Sequence, residues 1–137
     1  MIETRLLRTE CAFVLSRLGF DPVAHSPLAD YLASVAVPPQ GSPAEAELVS
    51  GLHAKGLGAL DGTPNPHLAT ALEWLSDPER VLCLTQFGPG GVETLHLAVT
   101  RGVAVECRRR TDDLVLRFPL PEAEIPSWLT LRTSEGR

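Results

Sequence analysis

Aromatic side chains and closely spaced cysteines are scarce in this chain of 137 residues. Aromatic residues make up only 5% of it, so leucine, valine and alanine must fill most of the core. The three cysteines, Cys11, Cys83 and Cys107, lie too far apart in sequence for a C-x-x-C zinc or redox motif. We expect all three to be reduced thiols, and the apolar runs around Cys83 and Cys107 predict that both are buried.

A long hydrophobic run is also missing. No stretch approaches the ~18 apolar residues that a membrane-spanning helix requires. The N-terminal segment does not read as a signal peptide, because charged side chains interrupt it throughout. The sequence therefore predicts a cytoplasmic protein without membrane insertion.

Positive charge is in short supply, with 12 basic against 17 acidic residues and a net charge of -5. This balance argues against a general nucleic-acid binder. Residues 1–78 hold 4 basic and 9 acidic side chains, and residues 79–137 hold 8 of each. The neutral second half is therefore the better surface for self-association or for an apolar partner.

Apolar residues recur at helical spacing in the first half of the chain. Ser42, Pro43 and Glu45 form a capping box with proline at the first helical position, which predicts a helix start. Pro66 predicts another, with Asn65 or Thr63 as its cap. Four helices are expected, over residues 3–18, 27–35, 43–55 and 66–76.

The second half changes to short runs rich in valine and leucine. Connections of two to five residues between such runs make antiparallel neighbours. Pro119 and Pro121 are expected to end the last strand, a short helix over 122–131 to close the fold, and residues 133–137 to fray. The predicted strands cover residues 80–87, 92–100, 103–109 and 113–118.

This order of elements predicts the α+β class, with N-terminal helices, a four-stranded antiparallel β-meander and a short C-terminal helix. Residues 1–132 are expected to form a single domain. We find no internal repeat and no low-complexity tract.

No local pattern predicts a catalytic, metal or cofactor site. The glycine-rich loop Gly88-Pro89-Gly90-Gly91 lacks the G-K-[ST] of a phosphate-binding loop, and no G-x-S-x-G motif occurs. The four histidines are scattered and have no ligand at metal spacing. No cofactor is expected.

Three features are candidates for contact with a protein. The hairpin loop at 88–91 has an exposed tip, and the run 108–110 is either a solvated hairpin or a docking patch for an acidic partner. Trp74 is either a core residue or an interface anchor. The candidate protein-binding residues are Trp74, Phe87, Gly88, Pro89, Gly90, Gly91, Arg108, Arg109 and Arg110.

One segment resembles a known family. Residues 56–78 read GLGALDGTPNPHLATALEWLSDP. They resemble a segment of EspG-like proteins, the cytosolic chaperones of type VII secretion, in which G-L and D-G precede a proline-marked helix start and L-A-x-A-L. The similarity extends over about residues 5–128, with a first helix ending at Gly19, a proline-broken stretch at 37–39 and a meander beginning at Arg80.

The resemblance implies binding rather than chemistry. Members of that family bind the hydrophobic tip of a helical secretion substrate, use no cofactor, and make contacts mainly through their central sheet and adjoining loops. They are about twice as long as this chain, with two similar halves sharing one sheet, so two copies of this chain could pair by two-fold symmetry. The prediction is a non-enzymatic, cytosolic protein-binding adaptor or secretion chaperone that acts as a homodimer.

Two other functions stay open at this point. Three helices followed by a hairpin also suit a winged-helix nucleic-acid binder, although the candidate recognition helix 66–76 carries no lysine or arginine. A small enzyme or ligand-binding α+β domain would need a pocket with converging polar groups.

Overall fold

A computed structural model of the chain describes residues 1–135. Within them, five strands and five α-helices are arranged in one order along the chain. A single 3₁₀ turn, Glu122–Glu124, precedes the last helix. The elements are β1 (Ile2–Leu7), α1 (Arg8–Leu18), α2 (Ala29–Leu32), α3 (Pro43–Ala54), α4 (Pro66–Ser76), β2 (Arg80–Gly88), β3 (Gly91–Thr100), β4 (Val103–Arg109), β5 (Asp113–Pro121) and α5 (Ile125–Glu135).

All five strands form one antiparallel sheet in the order β1-β5-β4-β3-β2. The predicted α+β class and the β2–β5 meander are confirmed, but the sheet has five strands rather than four. This architecture differs from the winged-helix alternative, in which a single hairpin follows the helices.

The additional strand, β1, lies where a single helix over 3–18 was predicted. Thr4 and Leu6 are buried while their neighbours in the strand are exposed, which is the alternation of a strand at a sheet edge. The prediction was wrong because Leu6 and Leu7 also fit the apolar stripe of α1, and a period of two is hard to recognise over six residues.

The last strand passes through Pro119, where it was expected to end, and ends at Pro121, the other predicted position. β5 continues to Pro121, and Leu120 pairs with Ala104. The register of β4 and β5 shifts between Ala104 and Glu106. Such an irregularity tolerates a proline, which has no N–H for the ladder.

Helices α3 and α4 begin at the predicted caps. Ser42 Oγ accepts a hydrogen bond from the Glu45 N–H at 3.2 Å, and Asn65 Oδ1 accepts one from the His67 N–H at 2.8 Å.

Helix α2 is shorter than the predicted 27–35. Ser26 Oγ accepts a bond from the Leu28 N–H, and this contact forms a turn where the helix was expected to begin.

Both faces of the sheet carry a hydrophobic cluster. The larger one lies between the sheet and helices α1, α3 and α4. The smaller one lies on the opposite face, where Trp128 of α5 packs with Leu95, Leu97 and Leu120. Because opposite faces are covered by different helices, alternate residues of β3 and β4 enter different clusters.

Two of the three cysteines are buried. Cys107 is buried as predicted, and so is Cys11. Burial raises the pKa of both thiols, that of Cys107 to about 12. Cys83, by contrast, is exposed, and the prediction of a buried residue was wrong. It lies on β2, an edge strand without a neighbour on one side.

The predicted closing helix corresponds to the 3₁₀ turn and α5, which continues to Glu135. Residues 136–137 of the predicted tail lie outside the described residues, so fraying there stays a prediction, as does the domain boundary at 132. No helix in the described part of the chain is long and apolar enough to span a bilayer.

Candidate protein-binding surface

The β2–β3 hairpin projects beyond the rest of the sheet. Strand β3 pairs with β4 only from Leu95 onward, so the backbone of Gly91–Thr94 pairs with β2 alone. Four residues of strand correspond to about 13 Å. Gly91 closes the turn with φ +111°, a conformation that side chains rarely adopt.

Two apolar side chains lie at the tip of this hairpin. Phe87 and Val92 are directly opposite each other in the register and therefore point to the same face. Phe87 is 73% exposed and Val92 is 64% exposed. Large apolar side chains this exposed and this close together are typical of a contact surface.

A concave surface of about 530 Å³ lies beside the tip. It is formed by the hairpin and by the turn between β4 and β5, and residues 94–108 separate these two parts in the sequence. The structure thus brings together most of the predicted site residues: Phe87, Gly88, Pro89, Gly90, Gly91, Arg109 and Arg110.

The arginine run does not act as one patch, because successive strand residues point to opposite faces. Arg108 Nε lies 3.0 Å from Glu93 Oε1. Arg109 turns the other way, where its Nη1 donates to the Pro27 carbonyl at 2.9 Å and contacts Asp30 at 3.0 Å. Arg109 therefore binds the segment around α2, while Arg110 stays exposed beside the hairpin.

Tyr31, which was not among the predicted site residues, holds the turn between β4 and β5. Its hydroxyl lies 2.8 Å from the Arg110 carbonyl oxygen and 2.7 Å from that of Asp113, and can donate its proton to either. Burial raises the pKa of Tyr31 to about 12, so the hydroxyl keeps this proton. The guanidinium of Arg8 lies 4.8 Å from the ring centroid.

Charged side chains cover the opposite face of β1, β5 and β4. Arg117 and Arg5 lie near Glu3 at 3.9 and 4.0 Å, around a cavity of about 240 Å³. Arg108 and the buried Glu106 line the same cavity. This charged cluster was not predicted, because it depends on β1, which was expected to be helical.

Trp74 lies away from the hairpin. It is half-buried on α4 and packs against the larger hydrophobic cluster. It does not line the concave surface at the hairpin tip. Its role as an interface anchor stays a prediction.

The exposed Cys83 has a histidine neighbour. Cys83 Sγ lies 3.7 Å from His96 Nε2. Burial, together with the charge of Arg109, lowers the pKa of His96 to about 4, so the imidazole is neutral at pH 7. A neutral imidazole of such low basicity does not form the thiolate–imidazolium pair of a cysteine nucleophile.

Among the described residues, no group of three or more histidine, cysteine or acidic side chains is placed to hold a metal ion.

No protein-family model and no curated protein sequence matches the chain. A solved structure does: that of the Mycobacterium tuberculosis type VII secretion system chaperone EspG5 in complex with the PE25–PPE41 dimer. The two align with a TM-score of 0.66 and 14% identity over 98% of this chain. The predicted EspG-like resemblance is thus confirmed at the level of the fold, and this chain spans about half, 51%, of the matched chain.

Proposed function

We propose that this protein is a non-enzymatic, chaperone-like adaptor that binds a protein partner in the cytosol through its β2–β3 hairpin. The observation that carries the proposal is the exposed pair Phe87 and Val92 at the hairpin tip. The fold it shares with EspG5, a secretion chaperone solved with a bound protein dimer, supports the same class of function. A helical secretion substrate is the partner we propose.

The tip has the composition of a protein interface, with an apolar centre and a polar rim. Phe87 and Val92 supply the centre, and Arg110 and Thr111 lie on the far side of the concave surface. Phenylalanine and arginine are both enriched in protein interfaces relative to the rest of the surface. A partner with an apolar tip and an acidic flank would complement this surface.

Replacing both tip residues, Phe87→Ser with Val92→Thr, should reduce recovery of the partner in affinity purification from the native host by at least tenfold. Folding should be unaffected, because both side chains are exposed. Leu60→Ser is the matched control, since Leu60 is 74% exposed but lies in a loop elsewhere. Equal recovery with the double variant, or no partner with the wild-type chain, would reject the proposal.

We also propose that the protein is a homodimer joined through β2. The chain spans half of the matched chaperone, and β2 is an edge of the sheet. Residues 81–88 of this edge carry no charged side chain, whereas the other edge, β1, presents Glu3 and Arg5. Charged residues protect sheet edges from pairing, so the uncharged edge is the one suited to pair with a second copy.

Light scattering should therefore give about 30 kDa, twice the mass of one 14.8 kDa chain. Thr85→Lys places a charge on the exposed β2 edge and should produce a monomer. Ser50→Lys adds the same charge on an exposed position of α3 and should remain a dimer. A wild-type monomer at high concentration contradicts the proposal.

A further inference from the structure

A second concave surface lies apart from the hairpin, where the start of α1, the segment 36–39 and α3 meet. Its volume is about 670 Å³. We refer to it as the α1–α3 groove. Apolar side chains form most of its walls: Leu7, Ala36, Val37, Pro38, Pro39, Ala44 and Leu48.

A buried carboxylate lies in this otherwise apolar groove. Glu10 is only 2% exposed. Both of its hydrogen bonds involve one oxygen, Oε1, which accepts from the Leu7 N–H at 2.8 Å and from Lys55 Nζ at 2.6 Å. These contacts fix the position of the carboxylate. Neither of them involves its second oxygen, Oε2.

Oε2 is the oxygen of Glu10 that is closest to Gly51 of α3. It is 3.2 Å from the position that a Cβ atom of Gly51 would occupy, and Gly51 lines the groove together with Glu10. A side chain at this position of α3 would crowd the carboxylate oxygen, and glycine avoids that contact. Within residues 1–135, no donor to Oε2 is present.

The charge of the groove is acidic. Glu47 lines its rim and is exposed, and Lys55 is already bound to the other oxygen of Glu10. A ligand that fills the groove needs an apolar body for the walls and a cationic donor for Oε2. Lysine and arginine combine both features, because an aliphatic stem carries the charged group.

We propose that the α1–α3 groove binds a short apolar segment of a partner protein that carries one lysine or arginine, whose side chain donates to Glu10 Oε2. This site uses no residue of the hairpin surface. It therefore does not depend on the function proposed above for Phe87 and Val92.

The test is selection of phage-displayed random dodecapeptides on the immobilised full-length chain. We expect enriched peptides to be apolar with a single basic residue. Ala44→Trp, which fills the groove from an exposed position of α3, should weaken their binding at least tenfold. Ala46→Trp is the matched control, because Ala46 is exposed on the same helix and does not line the groove.

The contact with the Glu10 carboxylate is tested by changing the peptide rather than the protein. The fold of the protein is therefore unaffected. Replacing the basic residue of an enriched peptide by norleucine should reduce its affinity about fivefold to tenfold. Equal binding of both peptides, equal binding to Ala44→Trp, or enrichment without basic residues would overturn the proposal. The double variant of Phe87 and Val92 should bind the peptides normally, which separates this result from the test of the hairpin.

Discussion

Trp128→Ala is expected to lower the free energy of unfolding by about 3–5 kcal/mol, the usual cost of truncating a buried tryptophan. The Trp128 side chain is 6% exposed and lies in the smaller cluster with Leu95 and Leu97 of β3. The same cluster holds α5 against the sheet, so the loss should include contacts between the helix and β3.

Chemical denaturation followed by circular dichroism measures this change. Leu129→Ala on the same helix is the control, because Leu129 is 37% exposed and its truncation should cost less than about 1 kcal/mol. Similar losses for the two variants would mean that α5 is not anchored by the Trp128 side chain.

Lys55→Met is expected to have the second largest effect, a loss of about 2–4 kcal/mol. Glu10 is almost fully buried, and its only cationic partner among the described residues is Lys55 at 2.6 Å. Removing one member of such a pair leaves a buried charge without compensation, which costs more than the pair itself contributes. Because Lys55 is partly exposed, the expected loss is smaller than the loss from breaking a fully buried pair.

Arg80→Met provides the matched comparison. Arg80 pairs with Glu122, and both side chains are about half exposed, so its removal should cost less than about 1 kcal/mol. Equal losses for the two variants in denaturant titrations would show that the burial of Glu10 has no energetic consequence. Lys55→Arg, which keeps the charge, should recover most of the stability.

The elements that were predicted correctly are those whose signals are local. Ser42 and Asn65 cap their helices through contacts two or three residues away, and short connections define the meander. Strand β1 was missed because its partner is β5, with Ile2 opposite Phe118. A six-residue segment gains strand character only from that distant neighbour.

In the candidate site, too, the features with a local signal were predicted and those that depend on distant residues were not. The hairpin loop at 88–91 is visible in the sequence, but the exposure of Phe87 depends on how far β3 extends beyond β4. Strand alternation explains why Arg109 turns toward Asp30 while Arg108 contacts Glu93. The position of Glu10 below Gly51 joins α1 to α3 and has no signature in either segment alone.

The pairing of β1 with β5 has a consequence for synthesis of the chain on the ribosome. Residues 2–7 emerge from the ribosome long before their partners at 113–118. Closing so long a loop carries an entropic cost that delays folding relative to local hairpins. The β2–β4 hairpins can therefore form while translation continues, whereas β1 has no strand to pair with until β5 has emerged.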